Sequence, residues 1–484
     1  MGPRTFWIIV FIFSLLFAGQ RAGAQQGSDL LKELDEKPPA EQGKKPAEKT
    51  AEKTAEKTAK AWNPLDQLQK NFEGSLRLRY VAYFNPAEER PEADTKRSQG
   101  EVLLRFADWV GDKRLRLDIS GWLEAGTEKN TYAGVTDSWQ ENDHRRNYLE
   151  MNEIYLTRQE KDFTVYAGKK LFPNGIATLY SPADILRPRD MNDPLDWKYF
   201  GIWQGRMDYY WKETTLTAAL LPVFQPWKLP SSTSRWAGNP TSKDSQRDPT
   251  FTDPYPNVQD DIPEISGNNV GYFTRGKTTV RGFDLYSSLY FGPGAYPVLR
   301  EENQAAGNVF IKEHVKVTNL AAGFSTTYKK WEFHGEAVFN YSLDGKDDSY
   351  VPTLAGFTYT LDEWVKPLHL DKIDITLEYA YEFLVRSQFA PGYVESSRKV
   401  RYGRNDIYTR LDFKFSEKWS VEYLNNLEFT KGNRGRYQRL MGRYRLKDGL
   451  VGRAGVEFFE GAEDSYYGRW NRNDRFLAEL EWSL

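Results

Sequence analysis

From Phe72 to the carboxyl end, the chain alternates apolar and polar side chains in runs of roughly ten residues or more. A period of two gives an extended strand one greasy face and one wet face. Strands of soluble domains average about 5 to 6 residues, whereas a tilted strand needs about 9 to 11 to cross the hydrocarbon of a bilayer. Run length therefore points to lipid, and not a protein interior, as what meets the greasy face. The final run sets Phe476, Ala478, Leu480, Trp482 and Leu484 against Glu479, Glu481 and Ser483. A strand in that position can close a cylinder against the first strand, so that no backbone edge stays unpaired in lipid.

The same pattern sets Phe72, Gly74, Leu76, Leu78, Tyr80, Ala82 and Phe84 against Glu73, Ser75, Arg77 and Arg79. It sets Leu115, Leu117, Ile119, Gly121 and Leu123 against Arg114, Arg116, Asp118, Ser120 and Glu124. Between the runs, short polar turns (Gly111-Asp112-Lys113, Glu160-Lys161, Lys212-Glu213, Lys329-Lys330, Ser416-Glu417-Lys418, Lys447-Asp448-Gly449) alternate with long Gly-, Pro- and Asp-rich loops. Short turns at one end and long loops at the other mark an outer-membrane barrel. The expected fold is an all-β, closed antiparallel transmembrane barrel of eighteen strands, with sixteen as the alternative. The strands start near residues 73, 101, 114, 147, 162, 199, 213, 269, 279, 313, 331, 351, 372, 405, 419, 436, 450 and 475. Two of them are separated at Gly276-Lys277. The loop from Pro226 to about Gly267 is the longest and most polar, and is expected outside or folded into the mouth.

The amino-terminal 71 residues are different. Arg4, an apolar run from Phe6 to Phe17 and the small residues Ala22-Gly23-Ala24 form an export signal too short to span a membrane, so residues 1–24 are expected to be removed. Residues 25–71, with three Ala-Glu-Lys-Thr repeats between Ala47 and Thr58, have no apolar stripe to bury and read as a disordered periplasmic tether, with contact to cell-wall polymer as the functional alternative. The barrel occupies 72–484. An aromatic fraction of 15%, with 29 Tyr and 15 Trp, suits two membrane interfaces. With no cysteine there is no disulfide, thiolate metal site or cysteine nucleophile, and a net charge of −2 gives no polyanion-binding signature for the whole chain.

Gly168-Lys-Lys-Leu-Phe172, followed by Ser181-Pro-Ala-Asp-Ile-Leu-Arg-Pro-Arg-Asp190, resembles a proteobacterial family of outer-membrane porin-like barrels of unassigned function, itself similar to the alginate-export porins. Gly168, Pro182, Asp184, Pro188 and Asp190 carry the match, while Lys169, Lys170 and Asn174 stand where that family has Arg, Gln and Trp. Gly282 to Tyr290, Gly323 to Thr326 and Glu457 to the end extend it in order. The resemblance covers about residues 72 to 484 and implies a barrel without naming a substrate.

Two sets of residues could carry chemistry. Asp184, Arg187, Arg189 and Asp190 lie on a proline-stiffened loop, read either as a segment pinned to the wall or as a constriction loop setting a field in the lumen. Basic inward positions Arg77, Arg79, Arg114, Arg116, Arg439, Arg443, Arg445 and Arg453 gather near the barrel seam, and acidic ones (Asp374, Glu378, Glu382, Glu422, Glu428) lie between, with Glu479 and Glu481 able to neutralise part of the basic wall. They form either a selectivity device or cross-strand pairs that stabilise a polar interior. His144, His314, His334 and His369 share no ligand spacing, so no metal and no cofactor is expected. His144 beside Asp143 is the one acid/base candidate to test, and Gly432 to Tyr437 is a loop and not a nucleic-acid site. The expected function is a channel for passive passage or export of hydrophilic solutes, not an enzyme. A plugged structural or adhesive barrel and an outer-membrane hydrolase are the alternatives. Expected partners are membrane lipid, lipopolysaccharide and, through the last strand, the assembly machinery.

Overall fold

A computed structural model describes residues 71–86, 96–110, 114–127, 132–136, 145–193, 195–196, 198–230, 234–237, 258–304, 307–429, 434–462 and 465–483. The export signal, nearly all of the tether, Gly111-Asp112-Lys113 and His144 lie outside the described residues.

Eighteen strands form one sheet. They are Phe72–Tyr83, Lys96–Val110, Leu115–Gly126, Leu149–Gln159, Phe163–Lys170, Ile202–Trp211, Thr214–Leu221, Gly271–Val280, Phe283–Pro293, Lys316–Tyr328, Trp331–Tyr341, Ser349–Leu361, Lys372–Arg386, Asn405–Lys414, Trp419–Glu428, Gly435–Lys447, Leu450–Gly461 and Arg475–Ser483. Each pairs antiparallel with its neighbours, and the last closes on the first, Leu480 opposite Leu78 and Trp482 opposite Leu76. Closure removes every sheet edge, which a wall in hydrocarbon requires. The expected count of eighteen and the greasy face are both as found. Leu78, Leu216, Leu285, Leu289, Leu320, Phe324 and Leu480 all stay exposed on the outer surface.

Rings collect at the turn end of that surface. Trp331 lies 4.4 Å from Tyr359 and Trp419 lies 4.7 Å from Tyr444, the arrangement of an interfacial girdle. No helix among the described residues is long and apolar enough to cross a membrane; the strands do the crossing.

One turn differs from expectation. Gly276 and Lys277 are ordinary strand residues, opposite Ser287 and Tyr286. The chain reverses at Arg281-Gly282, where both residues have positive φ (51° and 84°), the twist a tight hairpin demands. Lys212 and Lys329 adopt the same left-handed geometry at their turns. At the loop end, Val258–Asp261, Val298–Gln304, Gly307–Glu313 and Tyr393–Glu395 make a separate four-stranded sheet. The described part of the Pro226 loop folds into the mouth, where Trp236 is entirely buried against Tyr83, Phe459 and Trp470.

Candidate functional site

The site is the lumen and the loop inside it. Residues 171–201 connect strand Phe163–Lys170 to Ile202–Trp211, and the described ones, 171–193, 195–196 and 198–201, run along the inner wall of the barrel in two lobes.

The first lobe leans on the strands from Gly271–Val280 to Asn405–Lys414. Phe172 packs edge-on against Phe273 at 4.8 Å. Asn174 donates to Ser288 Oγ at 3.0 Å. The backbone N–H groups of Asn174 and Gly175 both donate to Asp184 Oδ1, at 2.7 and 2.9 Å, so Asp184 folds the lobe on itself. Two wall carboxylates take the next five N–H groups: Glu336 those of Ile176 and Ala177, Glu378 those of Thr178, Leu179 and Tyr180. Tyr180 stacks on Tyr408 with 5.5 Å between centroids. Gly175 is required here, because a Cβ would lie 1.7 Å from Ser181 Oγ.

The second lobe runs the other way and is held by charge. Asp190 accepts from Arg146 at 2.5 Å, and Arg146 also donates to Glu124 at 2.8 Å. Asp193 takes two bonds from Arg475, at 2.6 and 3.1 Å. Asp196 sits between Arg79 at 2.7 Å and Arg77 at 3.3 Å. Lys198 bonds to both Glu101 and Glu124, and Phe200 rests on Trp122 at 5.7 Å. Burial alone would push the Asp196 carboxyl up, but Arg77 and Arg79 outweigh it and hold it well below the usual range. Arg475 likewise overcomes burial at Asp193. At Asp190 burial wins over Arg146 and the carboxyl is raised.

The remaining predicted residues fall into distinct places. Arg187 lies face-on to Tyr199, 3.5 Å from the ring centroid, and Arg189 donates to the Tyr199 and Tyr402 hydroxyls. Arg116 pairs with Asp118 at 3.0 Å, Arg439 with Glu422 at 2.6 Å, and Arg453 with Glu479 and Glu481 at 2.6 and 2.5 Å. Arg114 and Arg443 are exposed and Arg445 half-buried toward the turn end. Asp374 bonds to Lys372 at 2.5 Å and Thr360 at 2.6 Å. Glu382 holds Arg401 at 2.8 Å, and Glu428 takes the backbone N–H of Tyr466 at 2.6 Å. Glu378 has no solvent exposure at all, sealed beneath the loop with His334 donating to it at 2.8 Å. Among the described residues, no group of three or more potential metal ligands assembles.

Sequence reasoning missed Glu336, Glu101, Glu124, Arg146, Asp193, Asp196, Lys198 and Arg475 as loop anchors. A signal for several was present: inward parity puts Glu336 two residues from His334, and Asp193, Asp196 and Lys198 continue the charged run after Asp190.

An open sector lies beside the two lobes, formed by the turn halves of Asn405–Lys414, Trp419–Glu428, Gly435–Lys447 and Leu450–Gly461, where Arg410 and Asp412 pair at 2.8 Å. There the Glu422 and Arg439 side chains keep 27% and 25% of their exposure, and Arg443 is open to solvent.

No family model matches the chain, and no curated protein matches it. Among solved structures, the chain is similar to OccK11 (OpdR) of Pseudomonas aeruginosa at 9% identity, covering 86% of this chain and 95% of that one with a TM-score of 0.47. A BenF-like porin from Pseudomonas fluorescens aligns at 10% identity over 85% and 98% with a TM-score of 0.48. OpdK of Pseudomonas aeruginosa, solved with vanillate, aligns at 9% identity over 86% and 99% with a TM-score of 0.48. These identities are too low for roles to be transferred residue by residue, and the three give no support to the likeness with alginate exporters.

Proposed function

We propose that the chain is a porin-like channel of the outer membrane, passing hydrophilic solutes by diffusion through a lumen narrowed by residues 171–201. One observation carries the reading: inside a closed wall that is greasy outside, an uncovered inner sector keeps paired charges of both signs in contact with solvent. The path follows Arg410, Asp412, Glu422, Arg439 and Arg443, with a charged wall choosing what passes. In this reading the turn end faces the periplasm and the amino-terminal tail lies there, the ring girdle meets lipid and lipopolysaccharide, and the last strand is what the assembly machinery handles. Purified protein in a planar bilayer is expected to give stepwise, ohmic current, and a membrane that stays at baseline sinks the proposal.

Export of a polyanion is the narrower alternative. Arg77, Arg79, Arg116, Arg439 and Arg453 each have a carboxylate within 3.0 Å, so the basic wall is largely neutralised and only mild ion preference is expected. Reversal potentials in a salt gradient decide it. The ring cluster of Trp236, Phe459, Tyr466 and Trp470 at the mouth favours a second reading, a plugged barrel with a structural or adhesive role through its tether and outer loops. That reading requires negligible conductance and a loss of cell-envelope function on removing residues 25–70.

A further inference from the structure

The first lobe is docked like a ligand. Five consecutive backbone N–H groups, from Ile176 to Tyr180, turn toward the wall and end on two carboxylates of alternate strands. Glu336 Oε1 takes Ile176 and Ala177, the latter at 2.9 Å, and its Oε2 takes the Ser181 hydroxyl at 2.6 Å. Glu378 Oε1 takes Thr178 at 2.7 Å and Leu179 at 3.0 Å, and its Oε2 takes Leu179 at 3.1 Å and Tyr180 at 2.9 Å. His334 completes the Glu378 shell through Nε2 at 2.8 Å. Successive N–H groups facing one way form an anion-binding concavity, and here the anion is supplied by the barrel itself. Extended loop backbone away from water needs such acceptors, and the described contacts of these five amides run to nothing else.

We infer that Glu336 and Glu378 are positioning residues that seat the inner loop against the wall and so set the width of the lumen beside it. The effect on permeation rests on the channel reading; the seating itself does not. An ionised carboxylate offers only acceptors, so an alanine leaves a hole lined by donors, which a small free carboxylate can refill. A residue that only stabilises the barrel offers no such rescue.

The test is hydrogen exchange at the amides of Ile176 to Tyr180 in detergent-solubilised full-length protein, with single-channel recording alongside. In Glu378→Ala the amides of Thr178, Leu179 and Tyr180 are expected to exchange at least tenfold faster than in the unaltered protein. Sodium formate, but not sodium chloride at equal ionic strength or neutral formamide, is expected to restore protection. Current fluctuation should rise in the variant and fall again with formate. Glu378→Gln, which keeps the volume and one acceptor oxygen but replaces the other with an amide donor, serves if the alanine variant fails to form a barrel by heat-modifiable gel migration. It should show faster exchange at one or more of these three amides, and formate, with no cavity to enter, should not restore it. Unchanged exchange in both variants, or faster exchange in Glu378→Ala that formate leaves alone, overturns the inference. If the unaltered protein carries no current while the exchange results hold, the channel reading falls and the seating stands.

Discussion

Asp196 is buried between two guanidinium groups, Arg77 on the first strand and Arg79 two residues on. Removing one member of a buried ion pair strands the other charges, at a cost of about 3 to 5 kcal/mol. Asp196→Asn is therefore expected to lower barrel stability by about that amount in urea titrations of the refolded protein, and a change under about 0.5 kcal/mol would contradict the role given to it. The sign of the acid response follows from the same pairs. Asp193 and Asp196 have depressed carboxyls in the docked loop, so their contribution is whole above the ordinary carboxylate value of 3.8 and is lost as pH falls through the lower, docked value. Asp190, raised by burial, has the opposite sign and offsets part of this. Barrel stability is therefore expected to fall progressively as pH is lowered below about 3.8, read as a falling urea midpoint; a midpoint that stays constant across that range, or rises, contradicts the role given to these carboxylates. Gly356 makes a further residue-scale test. A Cβ there would lie 2.6 Å from Glu378 Cγ and 2.9 Å from His334 Nε2. Gly356→Ala is expected to displace that pair and to destabilise by about 1 to 3 kcal/mol, read in the same titration.

Strands were legible because two constraints act on every residue of a membrane wall. One face must be greasy and the length must reach across, so the eighteen starts read from the chain lie within five residues of those observed, the largest shift being the second strand at Lys96 instead of 101. Gly276-Lys277 misled because a glycine in a lipid-facing position carries no pattern, while the true reversal at Arg281-Gly282 is marked only by tolerance of positive φ. The inner loop could be suspected from its prolines but its course could not be read. Glu336, Glu378 and Arg475 lie 160, 200 and 282 residues further along the chain and Arg77 lies 119 residues before its partner, and nothing local pairs a loop group with a distant wall charge. For the wall itself, Leu320 opposes Leu289 in the middle of two outward-facing strands. Leu320→Arg is expected to cost about 2 to 4 kcal/mol when unfolding is measured in lipid vesicles. A neutral result would mean that this face does not meet hydrocarbon.

At the scale of the molecule, a polar interior inside a closed wall has two outcomes, a path or a plug, and the inner loop decides between them. Its two lobes cover the lumen on both sides of strand Ile202–Trp211 and stop short of the sector around Glu422 and Arg439, which remains in contact with solvent. Single-channel current across a planar bilayer, for the full chain and for a chain whose residues 172–200 are replaced by a short Gly-Ser linker, separates the two outcomes. Discrete ohmic steps from the full chain, and larger steps from the shortened one, are expected. A silent full-length protein whose current appears only when the loop is removed would show a plug, and silence from both would show that the barrel is no channel.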